Sequence, residues 1–207
     1  QRQSAVPTPG TFLIVNTASN VSDRDCTDAL VETVRAANAA GTALNIQGSG
    51  TKSFLGREVK GQRFYVGEHR GITSFEPTEL VLSARAGTPL EEIRTILSEA
   101  GQMLPFEPPS FGTDDTLGGA LACGVSGPRR PYGGSARDLV LGLRIVNGRG
   151  ELLRFGGEVI KNVAGYDVSR LMIGAQGTLG VILEASIKVL PQLELETTRV
   201  LHIAPDK

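Results

Sequence analysis

The sequence predicts an α+β protein in which an α/β unit is followed by a mainly antiparallel sheet unit. Apolar residues recur at helical spacing over 25–40 and again over 89–100, each time beside a strand-like run. The dipeptide Asn147-Gly148 separates two later apolar runs, which is typical of a β-hairpin. Most of the 26 glycines lie between Gly112 and Gly180. This density exceeds what turns need and indicates that the backbone approaches a ligand closely.

The first unit is predicted over 1–104. In its first helix Leu30, Val31 and Val34 share one face, and Gly41 follows as a cap. Thr88 is the predicted N-cap of the second helix, with Glu91 at the capping-box position. In chain order the predicted elements are a strand over 12–15, a helix over 25–40, strands over 42–46 and 80–85, and a helix over 89–100 that ends at Gly101.

The second unit is predicted over 105–191. Strands over 139–146 and 151–155 flank the turn at Asn147-Gly148 and form an antiparallel pair. Asp167 is the predicted cap of a short helix that continues to Ile173. A long final strand over 180–190 stops at Pro191. A cleft between two such units is a common place for a cofactor.

Composition excludes several classes of protein. The formal net charge is −1, so neither a nucleic acid nor a polyanionic surface is an expected partner. Cys26 and Cys123 stand far apart and without a Cys-x-x-Cys pair, so neither a disulfide framework nor a metal site is expected. This cysteine usage fits a reducing, cytoplasmic compartment. No apolar run approaches the roughly 18 residues that span a bilayer, and the first residues lack a signal-peptide pattern.

The first candidate phosphate site is the loop Gly48-Ser49-Gly50-Thr51-Lys52, directly after a predicted strand. Its glycines free backbone amides for an anion, its hydroxyls add donors, and its lysine adds a charge. A dinucleotide fingerprint would require glycine where Ser53 stands, and a P-loop would require glycine where Thr51 stands. An ordinary strand-to-loop turn is therefore the alternative interpretation.

The second candidate runs from Thr116 to Ala122 and on to Ser126-Gly127. Small residues dominate it, so an extended ligand could lie against the main chain. The alternative is a tightly packed helix with small residues at its interface, although adjacent glycines cost about 1 kcal/mol each inside a helix. A third glycine cluster, GAQGTLGVI, occupies 174–182.

Other polar residues have ordinary structural interpretations. His69 lies in a polar turn and is predicted to be a solvated loop residue. Arg129 and Arg130 either place charge near a cofactor or form a surface turn, and Cys123 is a predicted packing residue. Lys161, Asn162 and Tyr166 are divided between packing and cofactor support. No catalytic residue is predicted.

Several spaced blocks resemble the FAD-binding subunits of bacterial glycolate oxidase complexes. More broadly they are similar to the flavin domain that vanillyl-alcohol oxidase and p-cresol methylhydroxylase relatives share. The resemblance covers most of the chain from about residue 20 to 191. It is carried by QGSGTKSFLG, EPTELVLSARAGTPLEEI, GQMLPFEPP, DDTLGGALA, SGPRRPYGGSARDLVLGL and KNVAGYDVSRLMIGAQGTLGVI.

The resemblance implies the two-subdomain FAD-binding fold of the p-cresol methylhydroxylase type and a set of cofactor-binding residues. The first loop would hold the pyrophosphate, the second segment the ribityl chain and part of the flavin ring, and the third cluster the adenosine side. Many relatives attach the flavin through a histidine in the first loop. His69 and His202 both lie elsewhere, so non-covalent FAD is implied. The implied residues are Gly48, Ser49, Gly50, Thr51, Lys52, Pro109, Thr116, Gly118, Gly119, Ala122, Ser126, Gly127, Gly177, Gly180, Val181 and Ile182.

The resemblance also implies a function and partners. The chain would be the FAD-binding subunit of a 2-hydroxy-acid oxidoreductase of the glycolate oxidase type, passing electrons from a small 2-hydroxy acid to a partner subunit. The alternative is a structural or electron-relay subunit that does not oxidise substrate itself. A second FAD-containing subunit and an iron–sulfur subunit are the implied partners, in the cytoplasm or peripherally at the inner membrane. Residues 192–207 are similar to the start of a cap domain of which the remainder is absent.

Overall fold

The computed structural model describes residues 23–157 and 166–200. The predicted strand over 12–15, and also Lys161, Asn162 and His202, lie outside the described residues. The helices are α1 (Thr27–Ala39), α2 (Leu90–Glu99), α3 (Leu117–Cys123), α4 (Arg130–Gly133), α5 (Ala136–Leu139) and α6 (Val168–Met172). The strands are β1 (Leu44–Gln47), β2 (Gln62–Tyr65), β3 (Ile72–Glu76), β4 (Val81–Arg85), β5 (Gln102–Met103), β6 (Val140–Val146), β7 (Leu152–Gly156), β8 (Val181–Lys188) and β9 (Leu190–Pro191). The α+β prediction is confirmed.

The first layer is small and contains the one parallel strand pair of the described residues. Strands β1 and β2 pair with Leu44 opposite Gln62. The apolar face of α1 packs beside this pair, as its helical spacing predicts. The helix and this strand pair share a hydrophobic cluster with residues of β6 and β8, so the small sheet is attached to the rest of the fold. Its buried members are Leu30, Val31, Val34, Phe64, Val66, Val146, Val181 and Leu183.

The main sheet has five strands in the order β3-β4-β8-β6-β7, all antiparallel. The hairpin of β6 and β7 is confirmed, and the Asn147 side-chain oxygen accepts hydrogen bonds from the amides of Arg149 and Glu151 across its turn. Strand β4 pairs along its whole length with β8, a hundred residues later. The division expected after residue 104 therefore runs through this sheet, because β3 and β4 precede it and β6 to β8 follow it.

The larger core lies between one face of this sheet and the helices α2, α3 and α6. Leu82 of β4, Ile93 of α2 and Leu121 of α3 are completely buried in it. Phe106, on the segment between β5 and α3, is also fully buried. Burial of such side chains contributes about 1.5–3 kcal/mol each. This core fixes the ends of α3 and β4, which flank the candidate site.

Two predicted helix caps have different outcomes. Asp167 caps α6, since its side chain accepts a hydrogen bond from the amide of Arg170 at 3.0 Å. The prediction for Thr88 is wrong, because α2 begins at Leu90 and Pro89 occupies the N-cap position. The buried Thr88 hydroxyl instead donates to the Gly71 carbonyl at 3.1 Å and accepts from the Gly71 amide at 2.9 Å. The Thr88 hydroxyl thus satisfies two buried backbone groups next to β3, and the first amide of α2 is satisfied by the Asp115 carbonyl at 2.7 Å. No helix within 23–157 or 166–200 is long and apolar enough to cross a membrane.

Candidate cofactor-binding site

Three glycine-containing segments enclose a cavity of about 390 Å³. They are the loop after β1, the beginning of α3 with the residue before it, and the turn that leads into β8. These are the three segments that the sequence singled out. The predicted residues that line the cavity are Gly48, Ser49, Gly50, Thr51, Lys52, Thr116, Gly118, Gly119, Ala122, Gly177, Gly180, Val181 and Ile182.

The remaining predicted site residues lie outside this cavity wall. Pro109 follows the buried Phe106 by three positions, and Ser126 and Gly127 follow α3. The turn over 104–107, which precedes Pro109, touches the turn over 127–130, because the Gly127 amide donates to the Phe106 carbonyl at 2.9 Å. Ser126 uses its hydroxyl to accept a hydrogen bond from the Ala136 amide at 3.1 Å.

Tight packing at one position and a left-handed backbone at another explain why glycine occupies two places in the wall. A Cβ atom on Gly48 would lie 2.6 Å from the Thr116 hydroxyl oxygen, which is shorter than any normal contact. Gly177 has a φ of +76°, a left-handed conformation that side chains rarely adopt, and a Cβ there would lie 3.1 Å from Ile46. The first loop therefore packs closely on Thr116 at the start of α3, and the turn before β8 packs on Ile46 of β1.

The second segment forms a helix, as its alternative interpretation predicted, and part of it also lines the cavity. The segment forms α3, and Thr116 caps it by accepting a hydrogen bond from the Gly119 amide at 3.2 Å. Gly118 also lines the cavity, but its Cβ position faces Ala86, and a Cβ there would lie 2.7 Å from the Ala86 Cβ. Gly119 and Ala122 line the cavity. The absence of a side chain at Gly118 is thus needed for packing against Ala86, and the small residues Gly119 and Ala122 leave space in the cavity.

A buried ion pair, which the sequence did not indicate, joins the first loop to the segment before α3. The Lys52 ammonium lies 2.6 Å from an Asp115 oxygen, and their side chains are only 7% and 3% exposed. Asp115 also accepts hydrogen bonds from the Thr51 hydroxyl and, at 2.6 Å, from the Phe111 amide. The acidic pair Asp114-Asp115 gives no sign of which residue is buried. The charge that Lys52 was expected to contribute is therefore balanced within the protein.

The electrostatics of Asp115 agree with this arrangement. Burial raises the pKa of Asp115, but the hydrogen bonds from Lys52, Thr51 and the Phe111 amide outweigh it and lower the pKa below its ordinary value. The carboxylate is thus ionised at neutral pH. It acts as the contact that fixes the first loop against the second segment.

A second cavity, of about 610 Å³, shares Ser49 and Thr116 with the first. Its wall includes Arg63 and Arg70, and the Arg63 guanidinium stacks 5.8 Å from the centre of the Tyr65 ring. Positive charge therefore lies near the same loop that Lys52 and Asp115 hold.

His69 is not the solvated loop residue that its polar neighbours predicted. Its side chain is 1% exposed, and Nδ1 accepts a hydrogen bond from the Cys26 amide at 3.0 Å. Burial lowers the pKa of His69, partly offset by Asp25, so the ring is neutral. The prediction failed because the burial depends on tertiary contacts. The amide of Cys26, the N-cap residue of α1, needs an acceptor, and His69 on a neighbouring segment supplies it.

The other polar residues have diverse surroundings. Cys123 is half-buried and lines the cavity, where burial raises the pKa of its thiol. Arg129 is paired with Glu107 and Glu196, whereas Arg130 is exposed. Tyr166 is 98% exposed. No cluster of acidic, histidine or cysteine side chains within 23–157 or 166–200 could hold a metal ion.

This combination of an α+β fold with glycine-lined segments around one cavity defines a nucleotide-cofactor-binding domain. The chain belongs to the FAD binding domain family, whose model matches residues 24–156. FAD is therefore its cofactor. The cavity suits such a group, because glycines from all three segments expose backbone in its wall, hydroxyls and Lys52 lie beside them, and its volume lies in the usual range for ligand sites.

Three curated relatives show which enzymes this chain is similar to. The chain is 59% identical over 168 residues to the glycolate oxidase subunit GlcE of Escherichia coli, covering 81% of this chain and 48% of that protein. It is 36% identical over 115 residues to a D-2-hydroxyglutarate dehydrogenase of Xanthomonas citri, covering 56% and 24%. It is 39% identical over 109 residues to the glycolate oxidase subunit GlcD of Bacillus subtilis, covering 53% and 23%. The chain thus spans about half of the first relative and about a quarter of the other two.

Proposed function

We propose that the chain is the FAD-binding part of a 2-hydroxy-acid oxidoreductase subunit of the glycolate oxidase type, and that electrons pass from the substrate to a partner subunit. The observation that carries this proposal is the cavity formed by the loop over 48–52, α3 and the turn over 177–182. The relatives support the substrate class, because their names describe glycolate oxidase subunits and a 2-hydroxy-acid dehydrogenase.

The site residues divide by the part of FAD that each would hold. The loop Gly48-Ser49-Gly50-Thr51-Lys52 would bind the pyrophosphate, mainly through amides and hydroxyls, since Asp115 balances the lysine charge. The turn into β8, with Gly177, Gly180, Val181 and Ile182, would hold the adenosine side. The ribityl chain and flavin ring would lie along Pro109, Thr116, Gly118, Gly119, Ala122, Ser126 and Gly127. When bound, FAD supplies the hydride-accepting chemistry that side chains cannot.

The proposal includes non-covalent FAD. His69 is outside the cavity wall, and its Nδ1 already accepts a hydrogen bond from the Cys26 amide. Cys123 is in the wall, but burial raises the pKa of its thiol and so leaves it protonated and weakly nucleophilic at neutral pH. Neither side chain is thus prepared to bond to the flavin.

The partners and the location belong to the same proposal. A small 2-hydroxy acid is the substrate, and a second FAD-containing subunit and an iron–sulfur subunit are the partners. The two cysteines of this sequence cannot supply the four thiolates that a cluster usually needs. The complex would lie in the cytoplasm or peripherally at the inner membrane. The chain would have the two-subdomain FAD-binding fold, and a cap domain would begin at about residue 192.

The first test is retention and release of flavin by the full-length protein. After incubation with FAD and gel filtration, we expect a flavin absorption spectrum that moves entirely to the supernatant on acid precipitation. Gly50→Glu should abolish retention, because it puts a negative charge in the pyrophosphate loop. Gly41→Glu is the matched control, since both glycines have positive φ and open space around the Cβ position. Colourless wild-type protein, or equal loss in both variants, would contradict the proposed site.

A second test separates substrate oxidation from electron relay. Glycolate is added anaerobically to the FAD-loaded protein alone and to the protein with its partner subunits, and bleaching of the flavin is followed. Bleaching in the isolated protein supports direct oxidation. Bleaching that requires the second FAD-containing subunit would support the relay alternative.

A further inference from the structure

We propose that Arg129 is a positioning residue that holds the turn over 104–107, with Pro108 and Pro109 after it, against the turn over 127–130, with Ser126 before it. The inference rests on the proposed function, because Pro109, Ser126 and Gly127 are proposed cofactor residues that lie outside the main cavity wall. Arg129 itself is not a proposed cofactor contact. Its role would be to fix the backbone of residues that are.

The contact between Arg129 and Glu107 has two points. One Glu107 oxygen accepts a hydrogen bond from the Arg129 amide at 2.8 Å, and the other accepts from Nε of the Arg129 side chain at 3.0 Å. Both side chains are partly buried, at 22% and 33% exposure. A two-point, charge-assisted contact specifies orientation as well as distance.

The backbone of Glu107 needs such a contact. Its φ is +44°, which is left-handed and unusual for a residue other than glycine. Such conformations persist only when the surroundings enforce them. Glu107 is held on its other side too, since Arg94 of α2 donates to the Pro108 carbonyl at 2.7 Å. The turn that leads to Pro109 is therefore fixed by one arginine from α2 and one from the neighbouring turn.

The two turns are also in backbone contact. The Gly127 amide donates to the Phe106 carbonyl at 2.9 Å. A Cβ on Gly127 would lie 2.6 Å from the Glu107 carbonyl oxygen and 2.7 Å from its Cβ. Because the spacing is this tight, a change in the conformation of Glu107 has to displace Gly127.

Arg129 has a second carboxylate partner, Glu196, in the segment after β9. Its guanidinium donates to Glu196 at 3.1 Å. Glu196 is 68% exposed, so this contact is expected to be the weaker one. It nevertheless places the segment over 192–200 in contact with the residue that fixes both turns.

The test compares Arg129→Met with Arg149→Met in the full-length protein. Arg149 also pairs with a carboxylate, Glu151, but on the β6–β7 turn and not on either turn that Arg129 joins. The readouts are the FAD dissociation constant, from quenching of flavin fluorescence, and the visible spectrum of bound flavin. We expect Arg129→Met to raise the dissociation constant about tenfold and to change the spectrum. Arg149→Met should leave both within twofold of wild type.

A double-variant cycle shows whether Glu107 is the partner through which Arg129 acts. Glu107→Gln should weaken FAD binding, and adding Arg129→Met should cause little further loss. Should Arg129→Met fail to fold, Arg129→Lys keeps the charge without the planar fork and is expected to bind FAD more weakly than wild type. Wild-type affinity and spectrum in Arg129→Met or Arg129→Lys would overturn the proposal. Wild-type protein that binds no FAD would instead refute the proposed function.

Discussion

Asp115 joins three segments at the candidate site through hydrogen bonds to its carboxylate and its carbonyl. Its carboxylate joins Lys52, Thr51 and the Phe111 amide, and its carbonyl accepts from the Leu90 amide at the start of α2. Asp115→Asn would leave the Lys52 charge buried without its partner, which typically costs about 3 kcal/mol. We therefore expect a corresponding loss in the free energy of unfolding, measured by urea denaturation at pH 7, and weaker FAD binding.

The control for this variant is Asp114→Asn, the same change at the exposed neighbouring residue. Its free energy of unfolding should stay within about 0.5 kcal/mol of wild type. The pH dependence is a further check. Because the folded-state pKa of Asp115 is lowered, its contribution is fully present above the unfolded value of about 3.9 and is lost as the pH falls below it. The difference between Asp115→Asn and wild type should thus shrink in acid, and a constant difference would contradict this account.

His69 predicts a pH effect in a different range. Its pKa is lowered by burial, and the charged groups that act on it are Asp25, Arg85, Arg144 and Glu184. The unfolded state therefore binds a proton more readily, and stability is lost as the pH falls below about 6.5. In His69→Asn the amide oxygen can replace Nδ1 as acceptor for the Cys26 amide without titrating. Urea denaturation at pH 5 and pH 7.5 should show a smaller difference for this variant than for wild type.

At the scale of the element, two neighbouring glycines of α3 line the same cavity but differ in what a side chain there would meet. Alanine for glycine inside an exposed helix normally stabilises by about 1 kcal/mol. Gly118→Ala should do the opposite, because its Cβ would lie 2.7 Å from the Ala86 Cβ and 3.0 Å from the Ala86 carbonyl oxygen. Overpacking of this kind costs about 1–3 kcal/mol. Thermal unfolding of the FAD-free protein measures the loss.

Gly119→Ala is the matched substitution at the neighbouring position of α3. Its Cβ would meet only the Thr116 hydroxyl oxygen at 3.1 Å and the Lys52 nitrogen at 4.0 Å, next to the cavity. We expect unchanged or slightly higher stability together with weaker FAD binding. Equal stability of the two variants would show that α3 is not packed through Gly118, and unimpaired FAD binding by Gly119→Ala would place the cofactor elsewhere.

At the scale of the whole molecule, local signals and distant pairing differ in what the sequence can predict. Helical spacing indicated α1, and Asn-Gly indicated the β6–β7 turn, because both depend on neighbours in the chain. Strand β2, with a single buried residue, has no alternating pattern to detect. The burial of His69 and the choice of Asp115 over Asp114 depend on segments that meet only after folding. The high density of glycines around the cavity is visible in the sequence, and Gly180 shows one cause, because a Cβ there would lie 2.6 Å from the Val146 carbonyl oxygen.

The pairing of β4 with β8 leads to a prediction for the whole molecule. Leu82 and Ala84 of β4 are completely buried in the core that contains Ala185 and Ile187 of β8. A chain divided after residue 104 separates these strands, so neither 1–104 nor 105–207 should unfold cooperatively when followed by circular dichroism. The fragment 72–207 keeps all five strands of the main sheet and should retain a cooperative transition. Its midpoint should be lower than that of the full chain, because the fragment lacks Lys52 and the part of the smaller cluster that α1 and β2 supply. A cooperative transition in 105–207 alone would mean that β6, β7 and β8 form a stable sheet without β4, and that the core is divided where the local sequence pattern changes.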